Sequence, residues 1–409
     1  MNPFRKFFDK LEPKVQKNKY LHTTFEAFHT FFFVPRTVNR SGAHIRDGMD
    51  LKRLMIFVVL ALMLPLLFGM WNIGHWHYLA HGMYSGSGEG FFPKFFFGFF
   101  QVLPIIIVSY VVGLGVEFIF AASKGTAVEE GFLVTGMLIP LIVPPDIPLW
   151  MVAIATIFAV IIGKEAFGGT GMNLINIALT VRVFLFFAYP TYMSGDSVWV
   201  TWDSNFLHHL FGLGADQTHS IVQSFTGATP LGLGASPKGI ETAGGFVTGL
   251  GAITEHFSLR DLFIGIVPGS VGETSAIAIL LGALFLVFTK IADWRIMISM
   301  VFGLIFMSIF LGLVGHSPFT QVPWFYHLCM GGFLFAMAFM ATDPVTAAQT
   351  TKGKYIYGFM IGLIGMLVRV INPAYPEGWM MAILFMNVLT PLIDHFVIQS
   401  NIKRRIARG

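Results

Sequence analysis

Two threonines flank a Gly-Ala pair in the segment 224-SFTGAT-229, and the second of them, Thr229, carries a hydroxyl that can be esterified. Glycine and alanine leave the backbone before this hydroxyl uncrowded, so that a modifying enzyme could hold the segment and reach the side chain. A string of this length also occurs as an ordinary turn. The pattern alone therefore leaves both a modification site and a simple turn open.

Glycines and asparagines are combined in 168-GGTGMNLIN-176. Glycines such as Gly169 let the backbone approach a planar ring, and Asn173 and Asn176, three residues apart, are predicted to share one helix face. Their carboxamides offer both donors and acceptors to the polar edges of such a ring. Hydrogen bonding of both side chains to neighbouring helices is the alternative, since polar residues have that role in membranes.

An apolar segment is interrupted at Pro268-Gly269. We predict that one helix ends there and that a new helix begins at Ser270, with Gly272 and Glu273 in its first turn. The free N–H groups of a helix N-terminus can hold a phosphate or a carboxylate. A simple Pro-Gly kink is the alternative.

Glu117, Asp343 and Asp394 are carboxylates that lie within apolar segments or at the end of one. A carboxylate inside a membrane span costs free energy unless it is paired, hydrated or bound to a cation, so these residues are candidates for an ion pathway. Oxygen ligands beside freed carbonyl groups at broken helices suit Na⁺. Asp343 and Asp394 have an alternative as interfacial caps or as partners of Lys352 and Lys354.

The basic side chains in the apolar segments can be interpreted without a bound ligand. Arg182 and Arg369 lie close to the outer ends of their segments, and we expect them to extend toward the membrane surface, although either could attract an anionic ligand.

His75, His77 and His81 are spaced as metal or haem ligands could be, but aromatic residues surround them. We expect aromatic packing rather than ligation, because buried haem ligation needs facing histidines from separate helices.

The composition excludes a water-soluble protein. Of 409 residues, 55% are hydrophobic and 12% are charged, against roughly 25% charged in an average soluble domain. The apolar stretches are too long for the strands of an outer-membrane barrel. The single cysteine, Cys329, excludes a disulfide framework and a Cys-ligated cluster held by this chain alone.

Ten apolar stretches are long enough to span a bilayer, at roughly 17–25 residues each. Most of the 26 Lys and Arg residues then fall on one side, which indicates membrane topology rather than nucleic-acid binding. The positive-inside rule and the even number of spans place both termini in the cytoplasm. The predicted spans lie near residues 54–74, 95–122, 131–147, 148–163, 171–190, 268–290, 296–314, 325–342, 355–372 and 379–398.

Two halves of the chain resemble each other weakly, each having a Gly-Phe-Leu segment followed by a helix with the pattern Asn–apolar–Leu–Thr. Five spans before the second copy would invert it, although chance similarity between Gly- and Phe-rich segments is the alternative. We therefore predict an all-α polytopic membrane protein of about ten transmembrane helices in two inverted five-helix repeats, some of them broken. The predicted units are a cytoplasmic amphipathic arm (1–53), the first repeat (54–190), an outer loop (191–258), the second repeat (259–398) and a basic cytoplasmic tail (399–409).

Several segments together resemble the B-subunit family of Na⁺-translocating NADH:quinone reductases. The Ser/Thr-Gly-Ala-Thr pattern at 226–229 resembles the family's flavinylation motif, whose last threonine is joined to FMN through a phosphoester. The resemblance spans nearly the whole chain. Its other segments are 129-EEGFLVT-135, 163-GKEAFGGTGMNLIN-176, 185-LFFAYP-190, 267-VPGSVGE-273, 341-ATDPV-345, 372-NPAYPEG-378 and 402-IKRRIAR-408.

The resemblance implies two flavins. It places a covalent FMN on Thr229 and a non-covalent riboflavin beside Gly169 and the two asparagines, Asn173 and Asn176. We expect the phosphate or the ring of the FMN to dock at the interrupted segment, at Ser270, Gly272 and Glu273.

The resemblance also implies an ion pathway and a quinone pocket. Glu117, Asp343 and Asp394 match family positions implicated in Na⁺ uptake. A quinone pocket would be formed by the N-terminal arm, including Phe31, and by the stretch around Gly113 and Leu114. Leu114 stands where consecutive glycines are expected, which puts the fit of the quinone in question.

The implied reaction is NADH:quinone oxidoreduction coupled to Na⁺ export across the bacterial inner membrane. Electrons would arrive from the other subunits of the complex (A, C, D, E and F) and pass to ubiquinone or menaquinone. A flavin transferase would attach the FMN, membrane lipid would surround the chain, and neither a metal cluster of its own nor nucleic acid is expected. The D-type subunit of an Rnf complex and a secondary transporter are the competing interpretations.

Overall fold

The computed structural model describes residues 51–84, 86–124, 131–169, 171–196, 198–201, 227–236, 239–242, 245–315, 317–372 and 378–408. Residues 1–50 of the predicted N-terminal arm, including Phe31, lie outside these ranges. So do residues 202–226 of the predicted outer loop.

The described chain is mainly helical. Its helices are α1 (Leu51–Ala80), α2 (Phe91–Lys124), α3 (Phe132–Ile142), α4 (Leu149–Gly163), α5 (Ile177–Ala188), α6 (Pro190–Met193), α7 (Pro230–Ala235), α8 (Leu250–His256), α9 (Leu259–Ile264), α10 (Ala276–Phe288), α11 (Trp294–Val314), α12 (Trp324–Cys329), α13 (Phe333–Phe335), α14 (Thr351–Ile371) and α15 (Trp379–Ile406). A 3₁₀ turn covers Glu165–Phe167, and a π-helical turn covers Ala336–Met340. Strands β1 (Ile240–Thr242) and β2 (Gly245–Val247) form an antiparallel hairpin in which Ile240 faces Val247.

Six of the described helices are long and apolar enough to cross a membrane, and they lie in α1, α2, α4, α11, α14 and α15. Three shorter apolar helices, α3, α5 and α10, lie between them. Every one of the ten predicted spans contains a helix. The prediction of an all-α polytopic membrane protein is therefore confirmed, and the chain is a multi-pass membrane protein.

Two predicted helix starts are wrong. The span predicted from residue 171 becomes helical only at Ile177, because Asn176 caps α5 by accepting a 3.2 Å hydrogen bond from the N–H of Leu179. The helix predicted from Ser270 begins at Ala276, with Ser275 as its N-cap. In both places a short polar side chain that can accept from the backbone ends the preceding non-helical segment.

The packing of the helices follows the same pattern in both halves of the chain. In the first half α2 packs against α4 and α4 against α5, and in the second half α11 packs against α14 and α14 against α15. Across the two halves α1 packs against α10, and α5 against α15. Two related halves would give this matched pattern, and their inversion stays a prediction.

Glycines bring the backbones of α1 and α2 into contact. A Cβ atom on Gly98 would lie 1.8 Å from the carbonyl oxygen of Met70, and one on Gly74 would lie 1.9 Å from that of Lys94. No side chain fits at either position. Small residues give membrane helices this close approach, which supplies the packing that lipid cannot supply.

Candidate functional site

Thr229 lies at the wall of a narrow pocket with a cavity volume of about 20 Å³. Three parts of the chain meet there, and we call it the Thr229 pocket. Its polar walls come from Thr229 itself and from the segment between α9 and α10. Its lining residues are Thr229, Pro230, Leu231, Leu262, Val267, Pro268, Gly269, Ser270, Glu273, Thr274, Cys329, Met330 and Gly331.

Thr229 is held as the N-cap of the short helix α7. Its backbone is extended, Pro230 follows at the first helical position, and its Oγ1 accepts a 3.0 Å hydrogen bond from the N–H of Gly232. The residue is half-buried. Because the oxygen only accepts in this contact, its own hydrogen remains available for replacement by an ester bond.

The segment between α9 and α10 is a folded, non-helical loop. Gly265 has a φ of +102°, and a Cβ atom there would lie 2.4 Å from the Cα of Ser275. The Ser275 hydroxyl donates to the carbonyl of Ile264 at 2.7 Å, and the N–H of Gly272 donates to the carbonyl of Leu141 at 2.8 Å. No helix begins at Ser270, since Ser275 is the N-cap of α10, and the docking of an anion in this loop stays a prediction.

Glu273, in this loop, forms a buried ion pair with Arg182 of α5. The guanidinium Nη1 donates to the Glu273 Oε1 at 2.5 Å, and the two side chains are 2% and 3% exposed. Nη2 of Arg182 lies 3.5 Å from the Ser270 hydroxyl. The expected extension of Arg182 toward the membrane surface is wrong, because a buried carboxylate from the other half of the chain holds it in the interior.

Arg369 of α14 also points into the protein. It is fully buried, its Nη1 donates to the carbonyl of His327 at 2.8 Å, and its guanidinium lies 4.9 Å from the ring centroid of Trp379. Its Nη2 lies 3.0 Å from the position that a Cβ atom of Gly331 would take. The expected extension toward the surface is wrong here too, and the guanidinium lies directly behind the wall of the Thr229 pocket.

Asn173 and Asn176 line a second and larger pocket with a cavity volume of about 100 Å³, which we call the Asn173 pocket. The predicted shared helix face is wrong, because Asn176 caps α5 and Asn173 lies in the loop before it, where its Nδ2 donates to the carbonyl of Ile175 at 3.3 Å. Gly169 has a φ of +109° and lies outside the lining. The two asparagines nevertheless meet in one pocket.

The opposite wall of the Asn173 pocket comes from the second half of the chain. Ala338 and Phe339 belong to the π-helical turn, in which the N–H of Ala341 donates to the carbonyl of Ala336 at 2.8 Å. Such turns often lie at functional sites. Asp343 follows this turn, lines the pocket, and accepts hydrogen bonds from the Thr346 hydroxyl and the Val345 N–H.

The three predicted ion-pathway acids lie in different surroundings. Glu117 forms a buried ion pair with Lys164, with both side chains 4% exposed. Asp394 holds the N-cap of α14, Thr350, accepting from its N–H and hydroxyl at 3.1 and 2.5 Å and from the N–H of Gln349 at 2.8 Å. Of the two alternatives for Asp394, the geometry favours the cap. The described residues contain no cluster of three His, Cys, Asp or Glu side chains that could hold a metal ion.

The glycine of the predicted quinone stretch has a clear packing role. A Cβ atom on Gly113 would lie 1.8 Å from the ring of Phe132, which is fully buried. Leu114 is half-buried against the core. Phe31, the third residue of the quinone prediction, lies outside the described residues.

The histidines of α1 pack against aromatic rings, as predicted. His75 stacks on Trp71 with 5.2 Å between ring centroids, and His77 stacks on Phe97 at 3.8 Å. The Nδ1 of His77 lies 2.6 Å from the carbonyl oxygen of Thr201.

The Arg182–Glu273 pair is the feature that sequence reasoning missed. Opposite charges in two apolar segments are expected to neutralise one another, and this signal could have found the pair. The same signal applies to Glu117 and Lys164. It also applies to Lys354, which pairs with Asp293 at 2.7 Å rather than with Asp343 or Asp394.

A family model described as the NQR2, RnfD, RnfE family matches residues 38–403. Three relatives each align with 99% of this chain. A protein of Ectopseudomonas mendocina is 44% identical over 99% of its own length, one of Stutzerimonas stutzeri 43% over 99%, and one of Chromohalobacter salexigens 43% over 96%. All three are named as the B subunit of Na⁺-translocating NADH-quinone reductase.

Proposed function

Because the chain belongs to the NQR2, RnfD, RnfE family, we propose that it is the B subunit of a Na⁺-translocating NADH:quinone reductase. The observation that carries this proposal is that the chain aligns with 96–99% of the length of three relatives that have this name. As such a component, the chain belongs to a multisubunit enzyme of the bacterial inner membrane, with both of its own termini in the cytoplasm.

FMN is the cofactor that we assign to the Thr229 pocket. Thr229 lines a pocket with polar walls, and its hydroxyl oxygen accepts a hydrogen bond from the N–H of Gly232. Thr229 would hold the cofactor through its phosphate, with Ser270, Gly272 and Glu273 in the adjoining loop. When bound, FMN supplies the electron transfer, while the protein binds the flavin, fixes its position and provides the charges around it.

Riboflavin is the cofactor that we assign to the Asn173 pocket. Asn173 and Asn176 present carboxamides to it, Gly169 precedes them in the chain, and the other walls are largely apolar. A neutral flavin without phosphate needs hydrogen-bonding partners and apolar surface rather than a cationic site. The pocket lies between the two halves of the chain, where repeat-built membrane proteins place their ligands.

We assign the remaining residues to two further sites. Electrons would pass to quinone at one of them, and Na⁺ would cross the membrane at the other. Glu117, Asp343 and Asp394 are proposed for the ion, and Gly113, Leu114 and Phe31 for ubiquinone or menaquinone. The partners in the complex are the other subunits (A, C, D, E and F) and the surrounding lipid, and a flavin transferase would act during maturation.

The family model also covers RnfD, the D-type component of Rnf complexes, which is the second candidate function. The names of the relatives favour the quinone reductase. Membranes that contain the whole complex should oxidise NADH when ubiquinone is added. An Rnf-type complex would instead pass electrons between NAD⁺ and ferredoxin without quinone.

Mass spectrometry of the peptide that contains Thr229, from native membranes, tests the assignment of the flavin. We expect the added mass of FMN. The Thr229→Val variant should lose the flavin fluorescence of the denatured band in a gel, and the control variant Thr226→Val, three residues away, should keep it. An unmodified peptide from cells that make the flavin transferase would contradict the proposal and favour a transporter.

A further inference from the structure

We propose that Arg182, Glu273 and Arg369 set the redox potential of the flavin in the Thr229 pocket, an inference that rests on the proposed function. The two guanidinium groups favour the reduced flavin, and the Glu273 carboxylate opposes them while it holds Arg182 in place. These three side chains act through the field that they create, and Arg182 and Arg369 are positioning residues rather than catalytic ones.

One of the three charges, Glu273, lies in the wall of the pocket, and the two guanidinium groups lie behind that wall. Glu273 and Gly331 line it directly, together with Thr229. Arg182 reaches the same wall from α5, through its contacts with Glu273 at 2.5 Å and Ser270 at 3.5 Å. Arg369 reaches it from α14, with its Nη2 3.0 Å from the Cβ position of Gly331.

The two glycines at positions 331 and 332 make this approach possible. A Cβ atom on Gly332 would lie 2.8 Å from the Oε1 of Glu273, and one on Gly331 would meet the Arg369 guanidinium. Gly331 also has a φ of +63°, which favours glycine. Any larger residue would displace the carboxylate on one side or the guanidinium on the other.

Burial makes these charges effective. The Arg182 and Glu273 side chains are 2% and 3% exposed, and Arg369 is fully buried. Charges in such surroundings interact more strongly than in water and are little screened by salt. Reduction adds negative charge to a flavin, so nearby cations raise its potential and a nearby anion lowers it.

Two contacts in the protein interior hold the Arg369 guanidinium in position. The carbonyl of His327 accepts from its Nη1 at 2.8 Å, and the ring of Trp379 lies under the guanidinium at 4.9 Å. The Arg182–Glu273 contact alone would account for an ion pair between the two halves. The second buried guanidinium, that of Arg369, is not needed for the Arg182–Glu273 ion pair. Its position beside the same carboxylate is the feature that points to a role in the pocket.

Redox titration of the purified complex, followed by the flavin absorbance, tests this inference. Glu273→Gln should raise the midpoint potential of the FMN on Thr229, and Arg369→Gln should lower it. We expect at least a tenfold change in the equilibrium constant in each direction, equivalent to about 59 mV for a one-electron couple. Arg369→Lys, which keeps the charge, should stay near the wild-type value.

Matched control variants distinguish an electrostatic effect on the flavin potential from general damage to the protein. Asp293→Asn removes a carboxylate from an ion pair elsewhere in the chain and should leave the potential unchanged. The double variant Arg182→Gln/Glu273→Gln removes one charge of each sign and should shift the potential less than Glu273→Gln alone. The covalent flavin of each variant is measured by in-gel fluorescence before titration.

Shifts of the same sign in Glu273→Gln and Arg369→Gln would overturn the inference, because a merely structural role has no reason to give opposite signs. Unchanged potentials in variants that carry their FMN would overturn it as well. If Glu273→Gln does not accumulate, the shift in Arg369→Gln alone decides the outcome. An unmodified Thr229 peptide in the wild-type protein would instead overturn the proposed function, which makes the two failures distinguishable.

Discussion

Arg182 in α5 donates a 2.5 Å hydrogen bond to Glu273 in the loop before α10, and neither side chain is more than 3% exposed. The two residues are 91 positions apart in sequence and come from different halves of the chain. The pair therefore fastens the two halves at the point where the Thr229 pocket forms.

Replacing Glu273 by alanine should destabilise the protein strongly. The change leaves the Arg182 guanidinium buried without its carboxylate, and breaking a buried pair from one side costs about 3–5 kcal/mol. Thermal unfolding in detergent, followed by tryptophan fluorescence, should show a clear fall in Tm. The double variant Arg182→Met/Glu273→Leu should recover much of the loss, because Arg182 is then no longer a buried charge that has lost its carboxylate. A double variant that is less stable than Glu273→Ala would contradict this account.

The helices could be predicted from the sequence, and the geometry of the sites could be predicted only in part. The apolar runs correctly located the six described helices that are long enough to cross a membrane, since length and composition decide that property, and each of the other predicted spans contains a shorter helix. The helix start at Ser270 was wrong because Ser275 competes for the same cap, and such a choice depends on the contact of the segment with Leu141. Opposite charges in two apolar segments suggest a pairing of Arg182 with Glu273, but the packing of the two halves, 91 positions apart in sequence, decides which charges meet.

Glu117 and Lys164 give a prediction about Na⁺. Their buried ion pair means that any cation at Glu117 must compete with the Lys164 ammonium. Lys164→Met should therefore lower the Na⁺ concentration needed for half-maximal quinone reduction, and Glu117→Gln should raise it. The measurement is the NADH:quinone reductase rate of the complex as a function of NaCl at constant ionic strength. An unchanged Na⁺ dependence in both variants would show that the pair is structural.

Asp293 gives a prediction about acid stability. Burial acts to raise its pKa, but hydrogen bonds from Lys354 and from the Arg295 N–H, with the charges of both residues, outweigh burial and hold the pKa below its ordinary value. A carboxyl group of this kind contributes stability above its unfolded pKa of about 3.9, and the contribution is lost as the pH falls through the folded pKa.

The variant Asp293→Asn isolates that charge, because asparagine also serves as an N-cap and can keep the contact with the Arg295 N–H. Near neutral pH the variant should unfold at a lower temperature than the wild-type protein. The difference should stay constant down to about pH 4 and close below it, where the wild-type carboxyl becomes protonated. A difference in Tm that persists unchanged at lower pH would show that the ion pair is not its cause.

Gly113 and Gly115 form a matched pair on α2 that tests the packing of the predicted quinone stretch. A Cβ atom on Gly113 would lie 1.8 Å from the ring of Phe132, whereas one on Gly115 would meet nothing within 4 Å. Because Phe132 is fully buried, its ring has little room to move, and overpacking of this kind costs about 1–3 kcal/mol.

We therefore expect Gly113→Ala to lower the Tm of the purified protein, and Gly115→Ala to leave it unchanged or raise it slightly, since alanine is the better helix former. The KM for quinone is measured on the same preparations. A Gly113→Ala variant with wild-type Tm and a raised KM would show that Gly113 faces the quinone and not the ring of Phe132. A raised KM in Gly115→Ala alone would move the predicted quinone contact by two residues, to the open face of α2.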